Sequence, residues 1–136
     1  MSNKSVSLKF FETYGNRHDV EGCTPLFTED VVVYTATAPG PLDLASYKQL
    51  GSAFLAGFAD LHDTVLEQIE EGNKVVSRVA WGGTHTGTLN GIPPTGRSFN
   101  TESIVIDTVV NGKIAERREV SDMFGMLQQL GVIPAQ

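Results

Sequence analysis

The feature that most constrains this chain is a change of period near its middle. Before residue 64 the apolar residues recur at helical spacing; beyond it, long β-forming runs dominate, at 64–70, 75–88, 98–110 and 113–122. Turn signals separate them: Glu71-Gly72-Asn73, the proline- and glycine-bearing loop 90–96, and Asn111-Gly112. Strands joined by short reversals pair as antiparallel neighbours. Helices first and a meander afterwards therefore read as an α+β layout rather than alternating βαβ units.

The N-terminal half fills in the helical layer. Val6, Leu8, Phe10, Phe11 and Tyr14 predict a first helix, with Gly15-Asn16 as its stop. Asp19 can cap a second short helix, which Thr24-Pro25 restarts through Phe27. Residues 31–35 read as a short β-branched strand ended by the turn at 38–41. Asp43 then caps a longer helix whose stripe is Leu44, Tyr47, Leu50, Phe54, Leu55 and Phe58. Gly82-Gly83 marks a bulge or a close backbone approach, and Met123 to Leu130 a closing helix that Gly131 ends. At 136 residues the chain is expected to be one domain, 1–136, able to bury a core without metal or disulfide.

Several classes are disfavoured. A formal net charge of −6, with scattered Lys and Arg, repels a phosphate backbone, so no nucleic acid partner is expected. Cys23 stands alone and reads as a buried thiol, and His18, His62 and His85 lack metal-ligand spacing; the expected metal is none. No nucleotide-binding glycine loop or nucleophile elbow is present. Without an apolar run of membrane-spanning length, no membrane association is expected, and the location expected is cytoplasmic.

The last strand poses the main question, because 116–122 reads Glu-Arg-Arg-Glu-Val-Ser-Asp. A two-residue turn at Asn111-Gly112 sets Thr108 against Ala115, whereas a three-residue turn with a glycine bulge shifts pairing by one. The shifted register groups Ile104, Ile106 and Thr108 with Ile114, Glu116, Arg118, Val120 and Asp122. It leaves Ser103, Asp107, Lys113, Arg117, Glu119 and Ser121 for solvent or a polar interface. That register is preferred, since it makes one apolar side. It carries Glu116, Arg118 and Asp122 inward, where they must pair, meet water or line a cavity. Either a structural Glu–Arg–Asp network or an acid–base pocket satisfies this.

Gly83-Thr84-His85-Thr86-Gly87, Gly91-Ile92-Pro93-Pro94-Thr95-Gly96-Arg97, Gly112-Lys113-Ile114 with Glu116 and Asp122, and Gln128-Gln129-Leu130-Gly131 follow one another in a telling order. With Phe58-Ala59-Asp60-Leu61 and Glu71-Gly72-Asn73-Lys74-Val75, they make the whole chain resemble the SnoaL-like polyketide cyclase family. The resemblance implies an α+β cone of the nuclear transport factor two-like (cystatin-like α+β barrel) type: a curved antiparallel sheet around a deep pocket, closed by N-terminal helices. It also implies a homodimer or homotetramer, no cofactor, and ring closure by intramolecular aldol condensation.

On that resemblance Asp122 is the general acid/base. His85 and Arg118 are candidates to hold the developing enolate oxygen, and Glu116 supports Arg118. Trp81, Tyr34, Thr108, Tyr14, Ile106 and Phe54 are the expected pocket wall for a small apolar molecule. Thr108 stands where the cyclases carry histidine, and Arg118 where the family commonly has tryptophan. Two other readings are carried: water activation by Glu116–Arg118–Asp122, as in epoxide hydrolases of the same superfamily, and a non-catalytic small-molecule binder.

Overall fold

The computed structural model describes residues 2–134. Helix α1 (Asn3–Phe10) continues into a π-helical turn (Phe11–Asn16), and a 3₁₀ helix (Glu21–Leu26) precedes β1 (Phe27–Tyr34). Then come α2 (Leu44–Gly57), β2 (His62–Glu71), β3 (Lys74–Thr84), β4 (Ser98–Val110), β5 (Lys113–Ser121) and α3 (Met123–Leu130). The caps follow the sequence reading: the Asp43 carboxylate accepts from the Ser46 amide, and Gly131 ends α3 at φ 78°.

The N-terminal layer departs from expectation in two places. Gly15-Asn16 does not stop the first helix cleanly, because the helix widens into the π turn that contains both residues. Pro25 lies inside the 3₁₀ helix, and Phe27 opens β1 rather than closing a helix, since its backbone joins the sheet opposite Ile114.

Five strands form one curved sheet in the order β1-β5-β4-β3-β2. From β2 to β5 the strands are an antiparallel meander; β1 adds parallel to β5. The all-antiparallel expectation fails at that edge because β1 reaches β5 by a long crossover, which no local turn signal announces. Gly82 marks a close approach rather than a bulge: a β-carbon there would fall 2.3 Å from the Phe99 carbonyl oxygen, while the β3–β4 register stays unbroken.

The turn at the last hairpin combines both sequence alternatives. Asn111 and Gly112 take φ 51° and 77°, and Val110 pairs with Lys113, as a two-residue turn requires. The register then slips between Thr108 and Val109, and Thr108 sets against Glu116, Ile106 against Arg118 and Ile104 against Val120. The preferred pairing is thus reached through a bulge at Ala115, but its sidedness is inverted. Ser103, Val105, Asp107, Arg117, Glu119 and Ser121 face inward; Ile104, Ile106 and Val120 stay 41%, 38% and 70% exposed.

Apolar count on two strands misled because the inner face is completed elsewhere. Val75 and Val79 of β3, with Val105 and Val109, join Val6, Phe10, Phe11 and Phe27 in one buried cluster. A second cluster, built on Phe54, Phe58, Phe99, Met126 and Leu130, closes the other end. Between them a space remains open.

Candidate active site

That space is a cavity of about 120 Å³ between the inner sheet face and the helical layer. Its walls are largely apolar, supplied by Phe10, Phe11, Phe27, Phe54, Val79 and Trp81, and the exposed Ala36 and Thr37 stand at its rim. A volume of this order holds one ring of a ligand. Larger molecules must leave part of themselves at the mouth.

Behind one wall sits a buried ion pair. Arg117 donates through Nε and Nη2 to the two oxygens of Asp107 at 2.7 and 2.9 Å, both side chains being 0% exposed, and the Ser7 hydroxyl donates to the same carboxylate at 2.7 Å. The Phe10 ring covers the guanidinium, 3.8 Å from its centroid. Burial works against the charge on Arg117, but Asp107, Tyr47 and Glu119 together outweigh it and hold the guanidinium charged. From this anchor a chain runs into the cavity: Arg117 Nη1 donates to the Tyr47 hydroxyl at 3.3 Å, and that hydroxyl donates to Glu119 at 2.6 Å. Burial raises both the Glu119 carboxyl and the Tyr47 phenol above their ordinary ranges, with the Arg117 charge opposing.

The second carboxylate of the cavity is Asp63, near the start of β2. Its amide donates to Asn16 Oδ1 at 3.0 Å, which ties the strand to the π turn. Its carboxylate has no hydrogen-bond partner among the described residues. Burial first, and the nearby Glu119 charge second, push it up to about 7, with Arg117 pulling the other way. Neither Asp63 nor Glu119 stood out in the sequence. The available signal was alternation: Asp63 shares the parity of Val65, and Glu119 pairs with Val105.

The expected site residues divide. Trp81, Tyr14 and Phe54 line the cavity. Arg118, Glu116, Thr108 and Ile106 do not: they lie on the outer face, because the bulge and the Arg117–Asp107 pair send their neighbours inward. There Arg118 reaches Glu116 at 3.4 Å and stacks its guanidinium 4.1 Å over the Tyr34 ring, which removes Tyr34 from the pocket wall as well. Thr108 accepts from Lys74 Nζ.

His85 is fully buried but outside the cavity wall. It packs on Phe58, and its Nδ1 accepts from the Thr95 amide at 3.2 Å, fixing the proton on Nε2. Asp122 is exposed. It caps α3, accepting from the Gly125 amide at 2.9 Å, although its neighbours Ser121 and Met123 both line the cavity. The Glu116–Arg118–Asp122 set therefore does not converge on an enclosed space. Among the described residues no three His, Cys, Asp or Glu side chains gather as a metal site, and no helix is long and apolar enough to cross a membrane.

The sequence model of the SnoaL-like polyketide cyclases matches residues 5–130. The chain belongs to that family. A relative matched over most of its length is the aklanonic acid methyl ester cyclase DauD of Streptomyces sp. (strain C5), 33% identical over 85% of this chain and 78% of DauD. The nogalonic acid methyl ester cyclase of Streptomyces nogalater is 40% identical, over 46% of each chain; this match spans about half of that relative. Among solved structures, IdmH of Streptomyces antibioticus, a proposed polyketide cyclase, superposes with TM-score 0.85 at 28% identity, covering 96% of this chain and 99% of IdmH. AclR of Streptomyces galilaeus, a proposed hydroxylase, gives 0.87 at 27% identity, covering 98% and 83%. In this SnoaL-like scaffold the chemistry is thus a property of the cavity, not of the fold.

Proposed function

We propose that this SnoaL-like cyclase closes a ring on a polyketide ester by intramolecular aldol addition, moving the proton on a carboxylate and using no cofactor. The observation that carries the reading is the cavity itself: aromatic walls around ionisable carboxylates, in a chain 33% identical over most of its length to an aklanonic acid methyl ester cyclase. A flat, fused-ring carbonyl substrate suits such walls. With about 120 Å³ inside, the reacting ring enters and the rest of the polyketide lies toward Ala36 and Thr37.

Aldol closure needs a base for a carbon acid flanked by carbonyls, a donor for the enolate oxygen, and exclusion of water from the enolate. An enclosed carboxylate supplies the first and an apolar wall the third. The test is incubation with aklanonic acid methyl ester, followed by mass spectrometry and proton NMR. Ring closure gives an isomer of unchanged mass with one new carbon–carbon bond. Binding of the ester with no isomerisation would instead support a non-catalytic binder, and ¹⁸O from labelled water appearing at carbon of an epoxide would support the hydrolase reading.

A further inference from the structure

Resting on the cyclase reading, we propose that Asp63 is the residue by which the cavity recognises a ligand carbonyl: its carboxyl, in the acid form, donates to that oxygen, so that binding takes up a proton. The role is one of recognition. Asp63 takes no part in removing a proton from carbon.

A polyketide brings carbonyl oxygens, which only accept, between walls that are mostly aromatic. A buried acceptor left without a donor costs binding energy, so the cavity must supply donors. Most of its polar side chains are committed to one another or to the backbone. The Tyr14 hydroxyl donates to the Gly51 carbonyl at 2.9 Å, and the Tyr47 hydroxyl to Glu119 at 2.6 Å. Lys48 is bound to Glu21 and Thr24. The Thr35 and Thr37 hydroxyls lie 3.3 Å apart, and those of Ser103 and Ser121 2.6 Å apart, oxygen to oxygen. Trp81 stands opposite Asp63 on the β2–β3 ladder and lends its ring to the wall, but its Nε1 is closed off and takes no part.

Asp63 differs from all of these. It lines the cavity, and its carboxyl has no hydrogen-bond partner among the described residues. The strand beneath it is held, because its amide donates to Asn16 Oδ1 and Gly15 packs against the carboxyl. A polar group so placed is unfavourable in an empty site and useful in a filled one. An ionised carboxylate repels a carbonyl oxygen, whereas the acid donates to it. The surroundings favour the acid: burial first, and the Glu119 charge second, push Asp63 up to about 7. A carbonyl ligand draws that equilibrium further toward the acid.

The charged and titratable groups facing it are Glu12 and Tyr14 of the π turn, Cys23 of the 3₁₀ helix, Tyr47 and Lys48 of α2, and Arg117 and Glu119 of β5. Burial raises the Tyr14 and Tyr47 phenols and pushes the Cys23 thiol up to about 11, so these stay neutral below pH 8.5. Glu119 is raised as well, and its titration is the one that the Asp63 variants must separate.

The experiment measures affinity at pH 5.5 and 8.5, by calorimetry or NMR titration, for three probes: 1-tetralone, tetralin, which lacks the oxygen, and 1-naphthol, which brings a hydroxyl. The wild type is expected to bind 1-tetralone about 10-fold more weakly at pH 8.5, as the donor-bearing fraction falls, with little change for tetralin. Asp63→Asn, whose amide donates at any pH, should bind 1-tetralone within about threefold of the wild type at pH 5.5 and without the slope. Asp63→Leu should bind it about fivefold or more weakly at pH 5.5 while keeping tetralin. The assignment is overturned if 1-tetralone affinity is flat with pH, if the slope persists in Asp63→Asn, which would give it to Glu119, or if Asp63→Leu binds the ketone as the wild type does. Binding of 1-naphthol that exceeds that of the ketone and strengthens with pH makes Asp63 an acceptor and overturns it too, as does binding of none of the probes. Ring closure is not read, so a wild type that cyclises no ester defeats the cyclase reading while these affinities still decide the role of Asp63.

Discussion

Gly15 and Asp63 share one space: a β-carbon at position 15 would lie 2.0 Å from Asp63 Oδ2. The π turn is therefore packed against the carboxylate through bare backbone, and the Asn16 side chain beside it holds the Asp63 amide. A helix that continued in α geometry would rotate these residues away from β2.

That contact makes Gly15→Ala a probe of placement. The added methyl must push the carboxylate, the far end of a short side chain, and the fold can give there more easily than in its backbone. The expected outcome is weaker binding of the ester, because the displaced carboxylate reshapes the cavity wall, with a melting temperature lowered by only a few degrees. Equal affinity in the two proteins would mean that the position of Asp63 is unimportant.

Stability should fall with rising pH on account of Asp63. Its folded value of about 7 lies above that of an unfolded aspartate, so below about pH 4 the group is neutral in both states and has no effect. Between about pH 4 and 7 only the unfolded chain ionises, and stability is lost; above 7 the loss is complete. Glu119, also raised, adds in the same direction. Urea titrations at pH 4.5 and 8 should show Asp63→Asn gaining roughly 2–4 kcal/mol relative to wild type over that interval. A pH-independent difference between the two proteins counts against the raised value.

The Arg117–Asp107 pair predicts a strongly non-additive double-mutant cycle. Arg117→Ala leaves a carboxylate at 0% exposure with no counter-charge, and should lower stability by about 3–5 kcal/mol or prevent folding. Arg117→Met with Asp107→Leu, which removes both charges while keeping volume, should recover most of that loss in chemical denaturation. Simple addition of the two single effects would show that the pair is not a unit.

The outer sheet face predicts self-association. Ile69 of β2, Ile104 and Ile106 of β4 and Val120 of β5 are exposed on one face of the sheet, flanked by the Glu67–Arg78–Glu102 and Glu116–Arg118 ion pairs. A second copy brings the same apolar centre and the same mixed-charge rim, as a two-fold interface requires. Sedimentation should show a dimer at micromolar concentration, and Val120→Lys or Ile106→Lys should give monomer without loss of fold. A wild type that remains monomeric at these concentrations contradicts the expectation.

Much of the scaffold was legible in local signals. The Asp43 cap, the strand from 98 to 110, the Asn111-Gly112 reversal and the Gly131 stop are each decided by a few adjacent residues, and each stands in the structure. Three aromatic cavity residues, Tyr14, Phe54 and Trp81, were legible for the same reason: they sit on the core side of periodic elements. The cavity face of β5 was not, because a single bulge at Ala115 breaks its alternation, and which side faces inward depends on partners in β3, β4 and α1.

The sequence alone determined the layer order, the meander, the family and a cavity-forming scaffold, since period, turn chemistry and motif order are properties of neighbouring residues. Only the folded chain decided which charges enter the cavity. Arg117 goes inward because Asp107, ten residues earlier, and Phe10, on the first helix, meet it there; Asp63 is packed against the bare backbone of a glycine 48 positions before it. Burial and charge pairing are relations between distant residues, and no local pattern states them.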